Sequence, residues 1–240
     1  DALVHYLSPR GLEQFSGGGW GTRDVCQGPL EMLLALDRPA AVRDLLCRVF
    51  SAQDPGGDWP QWFMFFARER QIRAADAHGD IVFWPLLGLA RYLVQTGDAA
   101  LLDQALPYHA GPGETETVEP LWQHVQRAWA VVHGRQLPGT RLVSYGHGDW
   151  NDSLQPADPA LRERLCSSWT VTLHHQVLQT LARGLETCGR AEAAQALHAE
   201  AAAVRADFRR LLLRDGTVAG YALFEGPPDR ATGLAPDLAP

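Results

Sequence analysis

The sequence predicts an all-α fold built from paired helices, and three observations support this. Segments with apolar residues at helical spacing alternate with turns rich in Gly, Pro and Asp along most of the 240 residues. Only residues 216–224 have the composition of a strand. Polar loops recur about once per helical hairpin, and loops at the same end of stacked hairpins converge. The pattern therefore predicts an α/α barrel with its polar loops on one face, but with fewer helices than a closed barrel normally contains.

The first hairpin follows a glycine-rich approach loop at residues 1–19. Helical spacing of apolar residues predicts a helix over 25–36 and, after a proline, a second helix over 40–52. An Asp-Pro-Gly-Gly-Asp turn then leads into the aromatic segment 59–66. For these aromatic residues, packing in the core is favoured over a ligand platform.

The later helices are predicted from one fully apolar segment and several amphipathic ones. Residues 81–90 are apolar nearly all round, which is typical of a buried helix. The other predicted helical segments are 98–106, 118–134, 168–188 and 191–213. We assign residues 1–224 to part of a helical barrel and interpret the Pro-rich residues 225–240 as a tail or linker. We expect the chain to be a piece of something longer.

Charge and composition exclude several classes of function. The formal net charge is -7 and the isoelectric point is about 5.7, so there is no general positive field for nucleic acid or for an anionic membrane surface. All 21 basic residues are arginine, which excludes chemistry based on a Schiff-base or P-loop lysine. No segment reaches the roughly 18 uninterrupted apolar residues of a membrane-spanning helix. We therefore expect neither nucleic acid nor a membrane as a partner.

The four cysteines form no C-x-x-C pair and mostly lie in apolar helical segments. This pattern predicts buried thiols rather than zinc ligands or a disulfide framework. Buried free thiols favour a reducing compartment, so we expect a cytoplasmic location.

The most polar segment of the chain is residues 145–153, which contains two carboxylates, a histidine, an amide and an indole. A loop with so many titratable groups between helical segments is typical of a functional site held on a rigid scaffold. The alternative is a helix entry in which Asp149, Asn151 and Asp152 only cap backbone amides. For the isolated motif the two interpretations are about equally supported.

Three polar loops are expected to converge, at residues 23–24, 78–80 and 149–152. Their carboxylates and arginine can hydrogen-bond hydroxyl groups strongly, because charge-assisted bonds exceed neutral ones. Flat indoles pack against the C–H faces of sugar rings, and the candidates are Trp20, Trp59 and Trp150. The combination indicates a neutral, polyhydroxylated ligand.

Asp152 is the candidate proton donor of this site. A carboxyl group kept protonated by an apolar neighbour can donate its proton to a glycosidic oxygen. The indole of Trp150 is a neighbour of that kind, two residues away in the sequence.

A metal site has weaker support. His174 and His175 are adjacent on a predicted helix and so point apart, and neither H-x-x-x-H nor H-E-x-x-H occurs. The remaining ligand set would be His78, Asp80, His147 and Asp149. Nucleophilic acyl chemistry has no support, because there is no G-x-S-x-G element. We expect no bound metal.

These residues resemble motifs of the inverting disaccharide and oligosaccharide phosphorylases of the cellobiose phosphorylase type, glycoside hydrolase family 94. Three elements carry the resemblance in the family's order and spacing. Asp149-Trp150-Asn151-Asp152 is similar to D-W-N-D, residues 20–27 to F-x-x-R-D-x-x-Q, and residues 78–84 to S-D-D-x-x-x-W. The resemblance implies part of the catalytic domain, an (α/α)6 barrel.

The resemblance also implies roles for individual residues. Asp152 would be the general acid, and Arg23 and Asp24 would hold the sugar beside the scissile bond. The other residues of the three elements with implied substrate-binding roles are Gln27, His78, Asp80, Asp149, Trp150 and Asn151. The chain has Gly28 and Gly79 where the family usually has aspartate, which leaves two sugar contacts and the identity of the sugar open.

The implied reaction is phosphorolysis of a β-glucosidic bond in a disaccharide or oligosaccharide. Asp152 protonates the leaving oxygen while inorganic phosphate, as co-substrate and without a further cofactor, attacks the anomeric carbon from the opposite face. The product is a sugar 1-phosphate of inverted configuration. The family's phosphate-binding residues lie beyond this sequence, so a longer parent chain or a homodimer is expected to complete the site.

Two alternatives stay open at this point. An inverting hydrolase would use Asp152 as acid and Asp80 or Asp24 as base, at about 6.5–9.5 Å with room for a water molecule. A non-catalytic helical fragment would bind carbohydrate without turnover.

Overall fold

The computed structural model describes residues 19–64, 66–152, 154–156, 158–225 and 232–234. Seven α-helices lie within these ranges and form the framework. They are α1 (Thr22–Cys26), α2 (Gly28–Ala35), α3 (Pro39–Ser51), α4 (Phe83–Thr96), α5 (Leu121–Gly134), α6 (Ser168–Thr187) and α7 (Ala191–Leu211). The predicted helical framework is therefore confirmed. The described helices do not close into a complete barrel.

The connections between the helices are less purely helical than the sequence predicted. Ten strands of two or three residues occur in the described ranges: β1 (Gly19–Gly21), β2 (Trp62–Met64), β3 (Arg73–Ala74), β4 (Ala105–Pro107), β5 (Val118–Pro120), β6 (Leu165–Ser167), β7 (Leu213–Arg214), β8 (Thr217–Val218), β9 (Tyr221–Leu223) and β10 (Thr232–Leu234). They form four small antiparallel sheets, ordered β1-β2-β3, β10-β9-β6, β4-β5 and β7-β8. The all-α prediction is wrong for these connections, because strands this short pair backbone groups of neighbouring loops and leave no measurable period in the sequence.

The core is centred on α4, which is buried along most of its length as its apolar sequence predicted. It packs on α3 and, most extensively, on α6, which in turn packs on α7. Gly184 allows the close approach of α6, because a Cβ there would lie 3.0 Å from Leu93 Cβ and 3.2 Å from the Ala90 carbonyl oxygen. The two helices that follow the site loops thus share one tightly packed interface.

Proline changes the bounds of two predicted helices. The segment 25–36 breaks at Gln27 into α1 and α2, because Pro29 lacks an N–H group and so begins a new helix. In the segment 118–134 the first three residues form β5, and the helix starts after Pro120. The predicted helix at 98–106 is a 3₁₀ helix at Ala99–Asp103 followed by β4.

The aromatic segment and the C-terminal segment show mixed outcomes. Trp59 and Phe63 pack in the core as predicted, whereas Phe66 is exposed. The strand-like residues 216–224 contain β8 and β9, as predicted. Within the predicted tail, Thr232–Leu234 forms β10 and pairs with β9. The approach loop at 1–18 and the rest of the tail beyond Glu225 lie outside the described residues.

None of the helices in the described ranges combines the length and the apolar character needed to cross a bilayer.

Candidate functional site

The arginine of α1 is the centre of the site. Arg23 is almost completely buried, its Nε lies 3.1 Å from Asp80 Oδ2, and its Nη2 donates to Asp80 Oδ1 at 3.1 Å. The indole Nε1 of Trp84 also donates to Asp80 Oδ2, at 2.8 Å. Both carboxylate oxygens of Asp80 are therefore engaged by donors, and the pair forms a fixed, two-point contact.

Burial and charge act in opposite directions on this pair. Burial would lower the pKa of Arg23, but Asp80 and Asp152 raise it above its ordinary value. Burial raises the pKa of Asp80, while Arg23 and the indole of Trp84 act to lower it. Removing Arg23 would leave Asp80 as a buried charge without its ion-pair partner, which costs about 3–5 kcal/mol.

Arg23 also contacts the loop that contains Asp152. Its Nη1 donates to Asp152 Oδ1 at 3.0 Å and to the Trp150 carbonyl at 3.4 Å, and its Nη2 donates to the Asp149 carbonyl at 3.1 Å. His78 Nδ1 lies 3.1 Å from Arg23 Nη2. The structure thus brings together the three loops that the sequence expected to converge, and one side chain joins them.

Glycines make this meeting of loops sterically feasible. The Gly79 amide donates to the Gly148 carbonyl at 2.8 Å, and His78 forms an isolated β-bridge with Gly146. A Cβ on Gly79 would overlap the carbonyl group of Tyr145. Gly79, where the resembling family usually has aspartate, is therefore required by the close packing of the two loops.

Asp149 anchors the acidic loop to the start of α6. Its Oδ1 accepts the Asn151 amide at 2.9 Å, and its Oδ2 accepts the Ser167 hydroxyl at 2.7 Å and the Thr170 hydroxyl at 3.5 Å. Ser167 is also the N-cap of α6. Asp149 was predicted to contact substrate, but its carboxylate is buried against α6 rather than facing the open side of the site.

Asn151 and Asp152 lie on the exposed side of the same loop. The Asp152 side chain is 69% exposed although its Oδ1 is held by Arg23 and lies 3.2 Å from His78 Nδ1. An acid of this kind is accessible to a ligand and is still fixed in position.

Asp24 and Gln27 lie beside Arg23 on the same short stretch of chain. Asp24 is half-buried, and its carboxylate occupies the space where a Cβ on Gly21 would lie. Gln27 donates its amide to the Arg23 carbonyl at 3.4 Å and lines an adjacent cavity of about 340 Å³. Both side chains thus lie next to the cluster.

The aromatic surface next to the site differs from the prediction. Trp150 is 55% exposed, as expected for a platform, but Trp20 and Trp59 are buried and cannot contact a ligand. Trp169, which sequence reasoning missed, is 39% exposed and lies 6.2 Å from Trp150 and 6.2 Å from Trp84 between ring centroids. The three indoles form a row, and two of them, Trp84 and Trp169, line the 340 Å³ cavity.

The signal that could have identified Trp169 is its position at the N-terminal end of a helix, directly after the strand that holds the acidic loop. Trp169 is the second residue of α6. In the sequence alone it resembles one more apolar residue of an amphipathic helix.

A second cavity, of about 350 Å³, shares no residue with this cluster. It lies beside α3 and β2 and is lined partly by Cys47, Arg73 and Tyr108. Within the described ranges, no group of three His, Cys, Asp or Glu side chains is placed to hold a metal ion.

The loop end of this helical scaffold combines an exposed carboxylate and amide with exposed indoles, groups that can hydrogen-bond hydroxyls and pack against apolar ring faces. Residues 13–222 match the model of the family described as glycosyl hydrolase 94 superfamily, catalytic domain, and the chain belongs to this family.

Three curated relatives are similar to parts of the chain. A 1,2-β-oligoglucan phosphorylase from Listeria innocua serovar 6a is 40% identical over 251 aligned residues, covering 99% of this chain and 22% of that protein. A 3-O-β-D-glucopyranosyl-β-D-glucuronide phosphorylase from Paenibacillus borealis is 26% identical, covering 68% of this chain and 20% of that protein. A cyclic β-(1,2)-glucan synthase from Rhizobium meliloti is 26% identical, covering 58% and 5% respectively. The chain thus spans about 22% or less of the length of each of these relatives.

Proposed function

We propose that this chain supplies the general acid and a sugar-binding wall of an inverting phosphorylase that cleaves β-glucosidic bonds with inorganic phosphate. The observation that carries the proposal is the placement of Asp152, which is exposed to a ligand and fixed by Arg23. Family membership and two relatives named as phosphorylases support it. The similarity to a 1,2-β-oligoglucan phosphorylase further supports β-1,2-linked gluco-oligosaccharides as substrate.

Asp152 donates its proton to the glycosidic oxygen as the bond from that oxygen to the anomeric carbon breaks. Phosphate attacks the anomeric carbon from the opposite face, so that the electron pair of the broken bond stays on the protonated leaving sugar. Because phosphate is itself a nucleophile, no carboxylate base is required. After the reaction Asp152 is a carboxylate and recovers a proton from solvent or phosphate.

Sugar hydroxyls are bound by the accessible polar side chains beside Arg23. The carboxylate of Asp24 accepts charge-assisted hydrogen bonds from sugar hydroxyls and the amide of Asn151 supplies neutral ones, while the indoles of Trp150 and Trp169 supply a flat apolar surface. Arg23 acts by holding Asp152 and the loop around it, because its guanidinium is buried and engaged by protein oxygens. Asp80 acts through Arg23, because both of its oxygens already accept from Arg23 or Trp84. Asp149 acts by holding the loop.

The hydrolase alternative with Asp80 as base has less support. A general base needs a free lone pair and room for a water molecule. Asp80 is fully buried and both of its oxygens are engaged by donors. Asp24, which is half-buried, is the base that this alternative would use.

The phosphate ligands and the rest of the barrel are proposed to come from a longer polypeptide or from a partner chain, including a second copy in a homodimer. We also propose a cytoplasmic location, because Cys26 and Cys166 are buried free thiols of the kind that a reducing compartment maintains.

The test is incubation of the full-length polypeptide with β-1,2-linked gluco-oligosaccharides, with and without phosphate, followed by assay of sugar 1-phosphate and free sugar. Sugar 1-phosphate that forms only with phosphate is the expected result. Free sugar formed equally without phosphate would replace the phosphorylase by the hydrolase. Binding without any product would leave a non-catalytic sugar-binding protein. The 240-residue chain by itself is expected to show no phosphorolysis.

A further inference from the structure

His78 lies between the acid and the loop that carries it. Its Nδ1 is 3.2 Å from Asp152 Oδ1 and 3.0 Å from the Asp149 carbonyl oxygen. The side chain is buried, and the ring lies flat against Gly148, where a Cβ would be 3.3 Å from three ring atoms. His78 stands where the motif that this segment resembles has serine.

The hydrogen-bond network assigns the proton on the ring. Arg23 Nη2 has two hydrogens, and two acceptors receive them: Asp80 Oδ1 and the Asp149 carbonyl, each at 3.1 Å. The two oxygens nearest to His78 Nδ1 are also acceptors. We therefore assign the hydrogen to Nδ1, where both oxygens can accept it, and this assignment makes the 3.1 Å contact between Nδ1 and Arg23 Nη2 a close approach of two donors.

With this assignment, the contacts to Asp152 are asymmetric. Arg23 Nη1 and His78 Nδ1 both approach Oδ1, while the side chain as a whole is 69% exposed. Within the described residues, Oδ2 is the oxygen that these contacts leave available to carry the transferred proton. A fixed Oδ1 and an available Oδ2 together orient the proton.

We propose that His78 is a positioning residue whose Nδ1–H holds Oδ1 of Asp152 and the Asp149 carbonyl, so that Oδ2 faces the glycosidic oxygen. This inference rests on the proposed function, because it assumes that Asp152 is the proton donor. It replaces the expectation that His78 binds sugar, since the Nδ1 edge of the ring faces protein atoms.

Backbone contacts also hold the His78 ring in place. The His78 backbone amide donates to Gln61 Oε1 at 2.9 Å. The backbone amide of the next residue, Gly79, donates to the Gly148 carbonyl at 2.8 Å. The charged groups that face the ring are Arg23 on α1, Asp80 on its own loop and Asp152 on the acidic loop, while the Asp149 carboxylate is turned toward α6.

Two substitutions of His78, by asparagine and by glutamine, distinguish a residue that positions Asp152 from one that binds sugar. In His78→Asn the side-chain amide nitrogen takes the place of Nδ1 and keeps a donor there. In His78→Gln the longer side chain carries its amide nitrogen to the place of Nε2. For the full-length polypeptide acting on β-1,2-gluco-oligosaccharides, we expect His78→Asn to retain most of kcat. His78→Gln should lose roughly 10²-fold in kcat, the size of effect that a misplaced catalytic group produces. It should also shift the alkaline limb of the pH–rate profile, with KM nearly unchanged.

Equal losses for Asn and Gln would overturn the inference, and so would a rise in KM with kcat intact, which marks a sugar ligand. Thermal unfolding of both variants shows whether either loss reflects misfolding. If the wild-type protein forms no sugar 1-phosphate, the proposed function fails by itself.

The proton assignment is tested without any activity. Long-range proton–nitrogen NMR spectra of the chain, with His78→Asn used to assign the signal, report which ring nitrogen carries the hydrogen. We expect the Nδ1–H form, and a neutral ring with hydrogen only on Nε2 would contradict the placement.

Discussion

Asp149 and Asp152 are three residues apart in one loop but have opposite environments. The Asp149 side chain is buried, with its residue only 3% exposed, and accepts two hydroxyl groups and a backbone amide. The Asp152 side chain is 69% exposed and contacts Arg23 and His78. The first carboxylate has all its contacts inside the protein, and the second has one side open to a ligand.

This difference shows how one short motif combines structure with chemistry. A buried carboxylate is stable only when donors satisfy it, which makes Asp149 a suitable anchor between the loop and α6. An exposed carboxylate contributes little to stability, because solvent screens its ion pair. Asp152 is therefore expected to matter for turnover, and Asp149 for folding.

The largest expected effect is on turnover. Asp152→Asn removes the transferable proton but keeps the size of the side chain, so kcat on natural oligosaccharides should fall by roughly 10²- to 10⁴-fold. The melting temperature should stay close to that of the wild type. Steady-state kinetics and thermal unfolding of the same preparation measure both quantities, and a variant with near-normal turnover would refute the comparison.

The next effect is on stability. Asp149→Ala removes the acceptor for Ser167, Thr170 and the Asn151 amide, and hydrogen bonds to a charged group contribute about 1.5–3 kcal/mol each. We expect a decrease of at least about 1.5 kcal/mol in the free energy of unfolding, measured by urea denaturation. Asp149→Asn, which keeps an acceptor oxygen, is the matched control and should lose less. If Asp149→Ala has the wild-type free energy of unfolding while that of Asp152→Asn is lower, Asp152 and not Asp149 is the structural anchor of the loop.

His174 is a buried polar side chain that contrasts with Asp149, whose carboxylate is fully hydrogen-bonded. Among the described residues, neither ring nitrogen of His174 has a hydrogen-bond partner, and the ring stacks on Phe83 at 5.1 Å. Burial, with smaller effects from His133 and His175, lowers the pKa of His174 to about 3. Its folded pKa is thus below the unfolded value of about 6.5.

The sign of the pH effect follows from this shift. As the pH falls below about 6.5, the unfolded chain binds a proton that folded His174 does not accept, so stability decreases by up to about 1.4 kcal/mol per pH unit until the pH approaches 3. His174→Leu should remove this contribution and raise stability at pH 5 more than at pH 7. Urea denaturation at the two pH values measures the difference, and an equal effect at both would contradict the assignment.

The smallest effect concerns the indole row. Trp169→Ala removes one exposed indole beside Trp150, and the loss of one aromatic contact of about 1 kcal/mol weakens sugar binding several-fold. Trp122→Ala, on α5 and stacked with Arg190, is the control that should leave the affinity unchanged. Tryptophan fluorescence titration with β-1,2-gluco-oligosaccharides compares them, and equal affinities would remove Trp169 from the site.

The sequence predicted the elements whose pattern is local. The apolar segment at 81–90 indicated a buried helix, and α4 is buried as expected. The meeting of the loops at 23–24, 78–80 and 149–152 was predicted from their recurrence at the ends of hairpins. Their contacts through Arg23 match that expectation.

The features that the sequence did not predict depend on tertiary contacts, which leave no local pattern. The short strands form where two loops happen to lie side by side, and a three-residue strand has no period to recognise. Whether Asp149 faces α6 or the ligand is decided by Ser167 and Thr170, which are 18 and 21 residues away. Trp20 and Trp59 are buried by packing that hydropathy alone does not distinguish from an exposed platform.

The most direct test of Asp152 as proton donor compares two leaving groups in Asp152→Asn. A sugar leaving group needs a proton, whereas the phenolate of a dinitrophenyl β-glucoside leaves without one. With phosphate and the full-length polypeptide, we expect kcat to fall by roughly 10²- to 10⁴-fold on the oligosaccharide and by less than about tenfold on the dinitrophenyl glucoside. An equal loss on both substrates would show that Asp152 does not donate the proton.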